Sequence, residues 1–435
     1  MTLSLPRARD ESAGQIVALL VVALALRPQL AAIGPLVPGI RDELAGSHVF
    51  LGLLTAIPVL CMGLFALVGP AVARRVGIRE AIGLSVATIV AFALARAVLP
   101  GAATLLLLTV GVGVGTGVVG PILSMFVRGR LPGHLVGGTA AYAGGTLLGA
   151  TLATALAVPL AEAFGGWRGA MTALTIASAG SIGAWLLLVP RRPVPPGAVA
   201  LLGAVADSSA VADVGSAGAS PASVARGALW TASRRPVVWA IGLLFGLQSW
   251  LYYGTTAWLA SVFIERGRSA GDSALLVSVV SLAGLVSILI APLASRAVRS
   301  RRVLLAGAAS SSTVGLLGIA AVPDPVVLWG LALGLGLGMM FTLGLTLPTD
   351  VGADAAEVGG AAAMMLLVGY VLAALAPTVL GAVRDATGGF ETAVWLLVVI
   401  AAAMIPLGWS LTPARLRPAV TRSEPTATIP SARGG

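Results

Sequence analysis

Twelve apolar runs, each about 20 to 25 residues long, constrain this 435-residue chain more than any motif it contains. They fall near residues 14–37, 49–73, 80–99, 103–127, 136–160, 169–190, 237–263, 273–296, 302–322, 326–348, 358–382 and 391–411. At about 1.5 Å of rise per residue, a helix of that length crosses about 30 Å of hydrocarbon. Composition points the same way. Hydrophobic residues make up 57% of the chain and charged residues 10%, whereas roughly a quarter of the residues in a soluble domain are charged. The expected fold is an all-α membrane protein of twelve transmembrane helices.

The net charge of +10 is a matter of topology. All 27 basic residues are arginines. With the N-terminus cytoplasmic, twenty fall in inner segments and six in outer ones, leaving Arg27 inside a span. The positive-inside rule therefore places both termini in the cytoplasm of an inner-membrane protein, and the charge gives no reason to expect nucleic acid as a partner. The first run is too long for a secretory signal, is interrupted by Arg27 and Pro28, and has no cleavage site after a short apolar core.

Residues 190–236 have a different texture, rich in Pro, Gly, Ser and Ala, and their one apolar patch, 198–206, is too short to span. This reads as a cytoplasmic linker, with a weak interfacial helix near 223–235 around Trp230. It divides the chain into a first six-helix bundle (1–189), the linker, a second bundle (237–411) and a flexible tail (412–435). The bundles share landmarks at nearly one offset: Pro70 with Pro292 (222), Gly113 with Gly334 (221) and Trp167 with Phe390 (223). Three matches in register predict a duplicated, pseudo-symmetric unit of the kind that rocks about a central site.

Enzymatic chemistry is hard to assemble from this inventory. The seventeen acids avoid the middles of the runs, histidine is absent from them, and no membrane serine has a base at suitable spacing. His48 and His134 lie in opposite loops, cannot share a metal, and read as solvated loop residues. The lone Cys61 offers neither a disulfide nor a cysteine metal site. "GTGVVG" at 115–120 fits a dinucleotide pattern without the strand or distal acid that reading requires, so its glycines read as helix packing. No enzyme, cofactor or metal is expected. Without a midplane carboxylate, proton coupling through such a group is disfavoured, which leaves uniport, exchange, or coupling through helix-end groups or the substrate's own proton.

Arg27 is the exception, a guanidinium that stays charged about midway along a span, where insertion costs about 2.5 to 3.5 kcal/mol. Two readings fit: it bonds carbonyls between helices and holds the fold, or it faces a watery cavity and binds an anionic or electron-rich group. Adding 222 to 27 reaches Ser249, beside Gln248. Gln248, Tyr252 and Thr255 share a helical face there, and Trp258 is placed to close it. Thr139, Tyr142 and Thr146 form a second polar stripe, and Tyr370 adds a further hydroxyl. Met364 and Met365 read as packing.

The twelve runs in two halves, "GPAVARRVGIR" after run 2, "APLASRAVRSRR" after run 8 and "GGWR" before run 6 resemble the major facilitator superfamily. "LRPQLAAIGPLVPGIRDEL", "GLLTAIPVLCMGLFA", "GLQSWLYYGTTAWLAS" and "VGYVLAALAPTVLGAVRDATGG" are similar to its cyanate and nitroimidazole transporter-like branch. The resemblance implies a carrier, acting as a monomer in the bilayer, that moves a small anion or polar aromatic compound by alternating access. It implies conformational roles for the loop residues Arg74, Arg75, Arg79, Arg296 and Arg301, and a cavity lined by helices 1, 4, 7 and 10. Arg74 stands where the superfamily's loop usually carries Asp. A broad-specificity drug or metabolite exporter and a non-transporting membrane sensor are the alternatives.

Overall fold

The computed structural model describes residues 5–44, 46–66, 68–131, 134–191, 230–298, 300–322, 324–353 and 355–416. Its twelve membrane-length apolar helices are Ser12–Ala31, His48–Phe65, Ile78–Val98, Ala102–Arg130, Gly137–Ala163, Trp167–Leu188, Pro236–Glu265, Ala270–Ala297, Arg301–Ala321, Val326–Val351, Glu357–Thr387 and Glu391–Ser410, numbered here as spans 1 to 12. Large apolar side chains such as Leu107, Leu187 and Val399 point outward along them, as a lipid-facing surface requires.

Two six-helix bundles pack with matching neighbours. In the first, span 1 meets spans 5 and 6, span 4 meets spans 2 and 3, and span 3 meets span 6. In the second, span 7 meets spans 11 and 12, span 10 meets spans 8 and 9, and span 9 meets span 12. The bundles join through span 2 against span 11 and span 8 against span 5, so exchanging the halves exchanges the two contacts.

Glycines make these contacts possible. Lipid tails are as apolar as leucine, so helices associate by close packing and small residues mark the seams. In span 4, a Cβ at Gly113 would lie 2.8 Å from Pro58 Cα of span 2, and one at Gly115 would lie 2.7 Å from Ile89 Cγ1 of span 3. In span 10, Gly334 meets Val280 of span 8 and Gly336 meets Ser312 of span 9. Both glycines repeat at an offset of 221 and their partners at 222 and 223, so the sequence landmark is also a packing symmetry.

Two apolar runs are subdivided. Run 2, read as continuous over 49–73, ends its first helix at Phe65 and resumes as Gly69–Val76, where Pro70 starts a new helix at its second residue. Span 1, taken together with the helical stretches that continue it on both sides, is broken twice, into Leu5–Leu26, Pro28–Ala31 and Ile33–Leu44. Pro28 supplies no amide to the ladder, and the carbonyl of Arg27 instead accepts from Leu30 N (3.0 Å) and Ala31 N (3.0 Å). The linker expected at 190–236 lies largely outside the described residues. Within it, Trp230 is exposed in a short helical turn with the Arg234 guanidinium 4.9 Å from its ring.

Candidate substrate site

The break in span 1 presents Arg27 at mid-membrane. Its Nη1 donates to the hydroxyl of Tyr253 in span 7 (2.9 Å), and the guanidinium carbon lies 5.9 Å from that ring's centroid. Among the described residues no carboxylate is paired with Arg27, and its hydrogen-bond partner is a phenol rather than a carbonyl. Arg27 itself stays partly accessible.

All four tyrosines of the chain converge on this charge: Tyr142 of span 5, Tyr252 and Tyr253 of span 7 and Tyr370 of span 11. Tyr252 and Tyr253 meet edge to face, with centroids 5.1 Å apart. The Tyr253 hydroxyl also lies 3.9 Å from Met62 Sδ of span 2. A cation that bonds one phenol and has three further tyrosines in its neighbourhood is suited to a small, flat, electron-rich ligand, held by charged hydrogen bonds in its plane and by stacking on its faces.

The other sequence candidates are placed differently. Gln248 is buried, with its amide toward Leu337 O of span 10 (3.4 Å) and its carbonyl accepting from Ser249 Oγ (3.2 Å). Thr255 donates to Leu251 O of its own helix (2.7 Å). Trp258 donates to Pro377 O (2.7 Å) and packs against His48 and Phe390. Thr139 is exposed, and Thr146 donates to Tyr142 O (2.8 Å). Sequence reasoning missed Tyr253. The signal was present, because the offset from Arg27 leads to Ser249, and Tyr253 follows it by one helical turn on the same face.

Of the loop arginines, Arg74, Arg75 and Arg296 are exposed. Arg79 is buried and donates to Val189 O (2.6 Å) and Leu186 O (2.8 Å) at the end of span 6. Arg301, its counterpart at offset 222, instead places Nε 3.1 Å from Asp350 Oδ2 and donates through Nη1 to Thr346 Oγ1 (3.1 Å), at the end of span 10.

His48 corrects an expectation. It is not a solvated loop residue but is 4% exposed, with Nδ1 2.5 Å from Asp385 Oδ1 of span 11. The second oxygen of Asp385 accepts from Val49 N (3.2 Å), so one carboxylate pairs with the imidazole and caps span 2. Gly34 brings span 1 against span 7 at the same end, where a Cβ would lie 2.5 Å from Thr256 O. Hydrogen bonds joining the halves thus run from mid-membrane, at Arg27–Tyr253, to this end, where the bundles close. Asp385→Asn removes the carboxylate charge at nearly constant shape, and charge-assisted hydrogen bonds contribute about 1.5 to 3 kcal/mol. Spin labels at Asp42 and Thr392, exposed at this end on opposite halves, should then show a longer distance component. Unchanged distances would mean that the pair does not hold the halves together.

Two matching six-helix bundles around a charged mid-membrane site define a membrane transporter. The Major Facilitator Superfamily model matches residues 19–377, and this chain belongs to that family. It is 31% identical over 380 residues to the cyanate transport protein CynX of Escherichia coli (strain K12), covering 86% of this chain and 91% of that protein. It is 28% identical over 393 residues to the 2-nitroimidazole transporter of the same organism, covering 90% and 94% respectively. Among solved structures, the D-xylose-proton symporter superimposes with a TM-score of 0.70 at 14% identity, covering 92% of this chain and 98% of that one. A bacterial homolog of the human lysosomal transporter Spinster, inward-facing and unoccupied, also gives 0.70, at 15% identity and 95% coverage of both chains. At those identities the structural likeness speaks for the fold alone.

Proposed function

We propose that this carrier moves a small anion or a polar aromatic compound with an electron-rich head, seated between Arg27 on the first half and the tyrosines of spans 5, 7 and 11. The observation that carries this reading is a partly accessible guanidinium inside the bundle that donates to a phenol, Tyr253, and pairs with no carboxylate among the described residues. Such a charge is stabilised by water in the empty site and by an anion in the loaded one. The two relatives named above are a cyanate and a 2-nitroimidazole transporter, and both compounds present electron-rich groups that a guanidinium can hold. The carrier works as a monomer in the inner membrane. The arginine asymmetry supports cytoplasmic termini, linker and tail, which makes the His48–Asp385 end the outer one.

Counterflow tests the reading. Proteoliposomes preloaded with unlabelled cyanate or 2-nitroimidazole should transiently accumulate the labelled compound from outside, and the same compound should raise the melting temperature of the purified carrier. Failure of both compounds in both assays would remove this substrate class. A protein that binds without counterflow would be a sensor.

A further inference from the structure

A second guanidinium is buried in the first half with no assigned role. Arg96 lies in the last turn of span 3 and is 2% exposed. Its Nη2 donates to the backbone oxygen of Gln29 (2.5 Å) and to Gln29 Oε1 (3.2 Å), while its buried Nε has no hydrogen-bond partner. No carboxylate pairs with it among the described residues. Gln29 in turn donates through Nε2 to Thr175 Oγ1 of span 6 (3.0 Å). The chain Thr175–Gln29–Arg96 therefore ties the short Pro28–Ala31 turn to spans 3 and 6, two residues from Arg27.

A buried cation without a counter-ion is worse for packing stability than an apolar side chain of similar volume, so span packing alone does not account for an arginine here. The second half makes the comparison. At the offset of 222, the place of Arg96 is taken by Gly318, packed against the Trp329 ring, and the counterpart of span 1 is an unbroken helix, Pro236–Glu265. The arginine occurs in the half whose first span is broken, and it bonds to a carbonyl of the short helix that lies between the two breaks.

We infer that Arg96 is a positioning residue for the substrate site: by gripping the Gln29 carbonyl it holds the break in span 1 and so aims Arg27 toward the tyrosines of that site. This rests on the reading of Arg27 as the anion-binding group. Arg96 touches no substrate and acts through Gln29.

The test measures affinity for cyanate or 2-nitroimidazole, whichever the wild-type carrier binds, together with the ligand-free melting temperature. Arg96→Met should weaken binding about tenfold, as coupled neighbouring sites do, with the ligand-free melting temperature unchanged or raised because a buried charge is gone. Arg96→Lys, whose ammonium can reach the same carbonyl, should restore most of the affinity. Thr175→Val, which frees the Gln29 amide without touching either arginine, should weaken binding by a smaller factor in the same direction. In an Arg27→Gln background, Arg96→Met should have little further effect. Full affinity in Arg96→Met, or a ligand-free melting temperature well below wild type, would overturn the inference, the latter by showing a merely structural role. If Arg27→Gln alone leaves binding intact, the reading of Arg27 fails first. If Arg27→Gln weakens binding and Arg96→Met does not, only the role of Arg96 fails.

Discussion

Gly336→Leu and Gly115→Leu should each lower the melting temperature of the purified carrier by several degrees and cut its folded yield. A Cβ at Gly336 would sit 2.5 Å from the backbone nitrogen of Ser312 and 2.6 Å from Ala308 O, and one at Gly115 would sit 2.8 Å from Ser85 O. These neighbours are main-chain atoms of an adjacent span, so a rotamer change cannot relieve the clash and the helices must separate. Overpacking costs on the order of 1 to 3 kcal/mol, occasionally more. Burying leucine between spans gains little in return, because leucine in lipid is already in an apolar solvent. Gly180→Leu in span 6 is the control, since a Cβ there meets nothing within 4 Å. Equal melting temperatures for the three variants, read by fluorescence-detected gel filtration after heating, would refute the packing account.

Arg27→Gln should cost roughly 1.5 to 3 kcal/mol of binding free energy, the scale of a hydrogen bond to a charged group, while leaving the ligand-free melting temperature nearly unchanged. Arg27→Lys should fall between the two, because an ammonium keeps the charge but loses the planar fork that pairs with carboxylate-like or nitro-like groups. The Arg27–Tyr253 bond provides an internal check. Tyr253→Phe removes the phenol from Nη1 but keeps the ring, so it should change affinity far less than Arg27→Gln. A large ligand-free destabilisation by Arg27→Gln would assign the arginine to holding the bundles together. Unchanged affinity would remove it from the site.

Arg27 stood out in the sequence because charge inside an apolar run is costly whatever the fold. The sequence puts Tyr252 on a face with Gln248 and Thr255, Tyr142 in a stripe with Thr139 and Thr146, and Tyr370 apart from both, whereas the structure brings all three tyrosines near that charge. Helical spacing in span 7 favours the face of Gln248, Tyr252 and Thr255 over Tyr253, yet the polar atoms of Gln248 and Thr255 are occupied within the protein. The reason is physical. In a soluble helix, the alternation of polar and apolar residues shows which face is buried. In span 7 lipid and protein interior are both apolar, so the pattern carries almost no information about rotation. The burial of His48 escapes its local sequence for a related reason, since it depends on Asp385, Trp258 and Phe390, all more than 200 residues away.

The residue sequence alone determined the twelve spans, the two-fold repeat and the family, because membrane thickness sets the length of an apolar helix and a duplicated gene keeps its landmarks in register. It also marked Arg27 as a residue needing compensation. The tertiary structure alone decided what surrounds that charge. The double break in span 1, the grip of Arg96 on Gln29, the four convergent tyrosines and the His48–Asp385 closure all depend on helix rotation and on contacts between distant segments, and in an apolar solvent local residue pattern specifies neither.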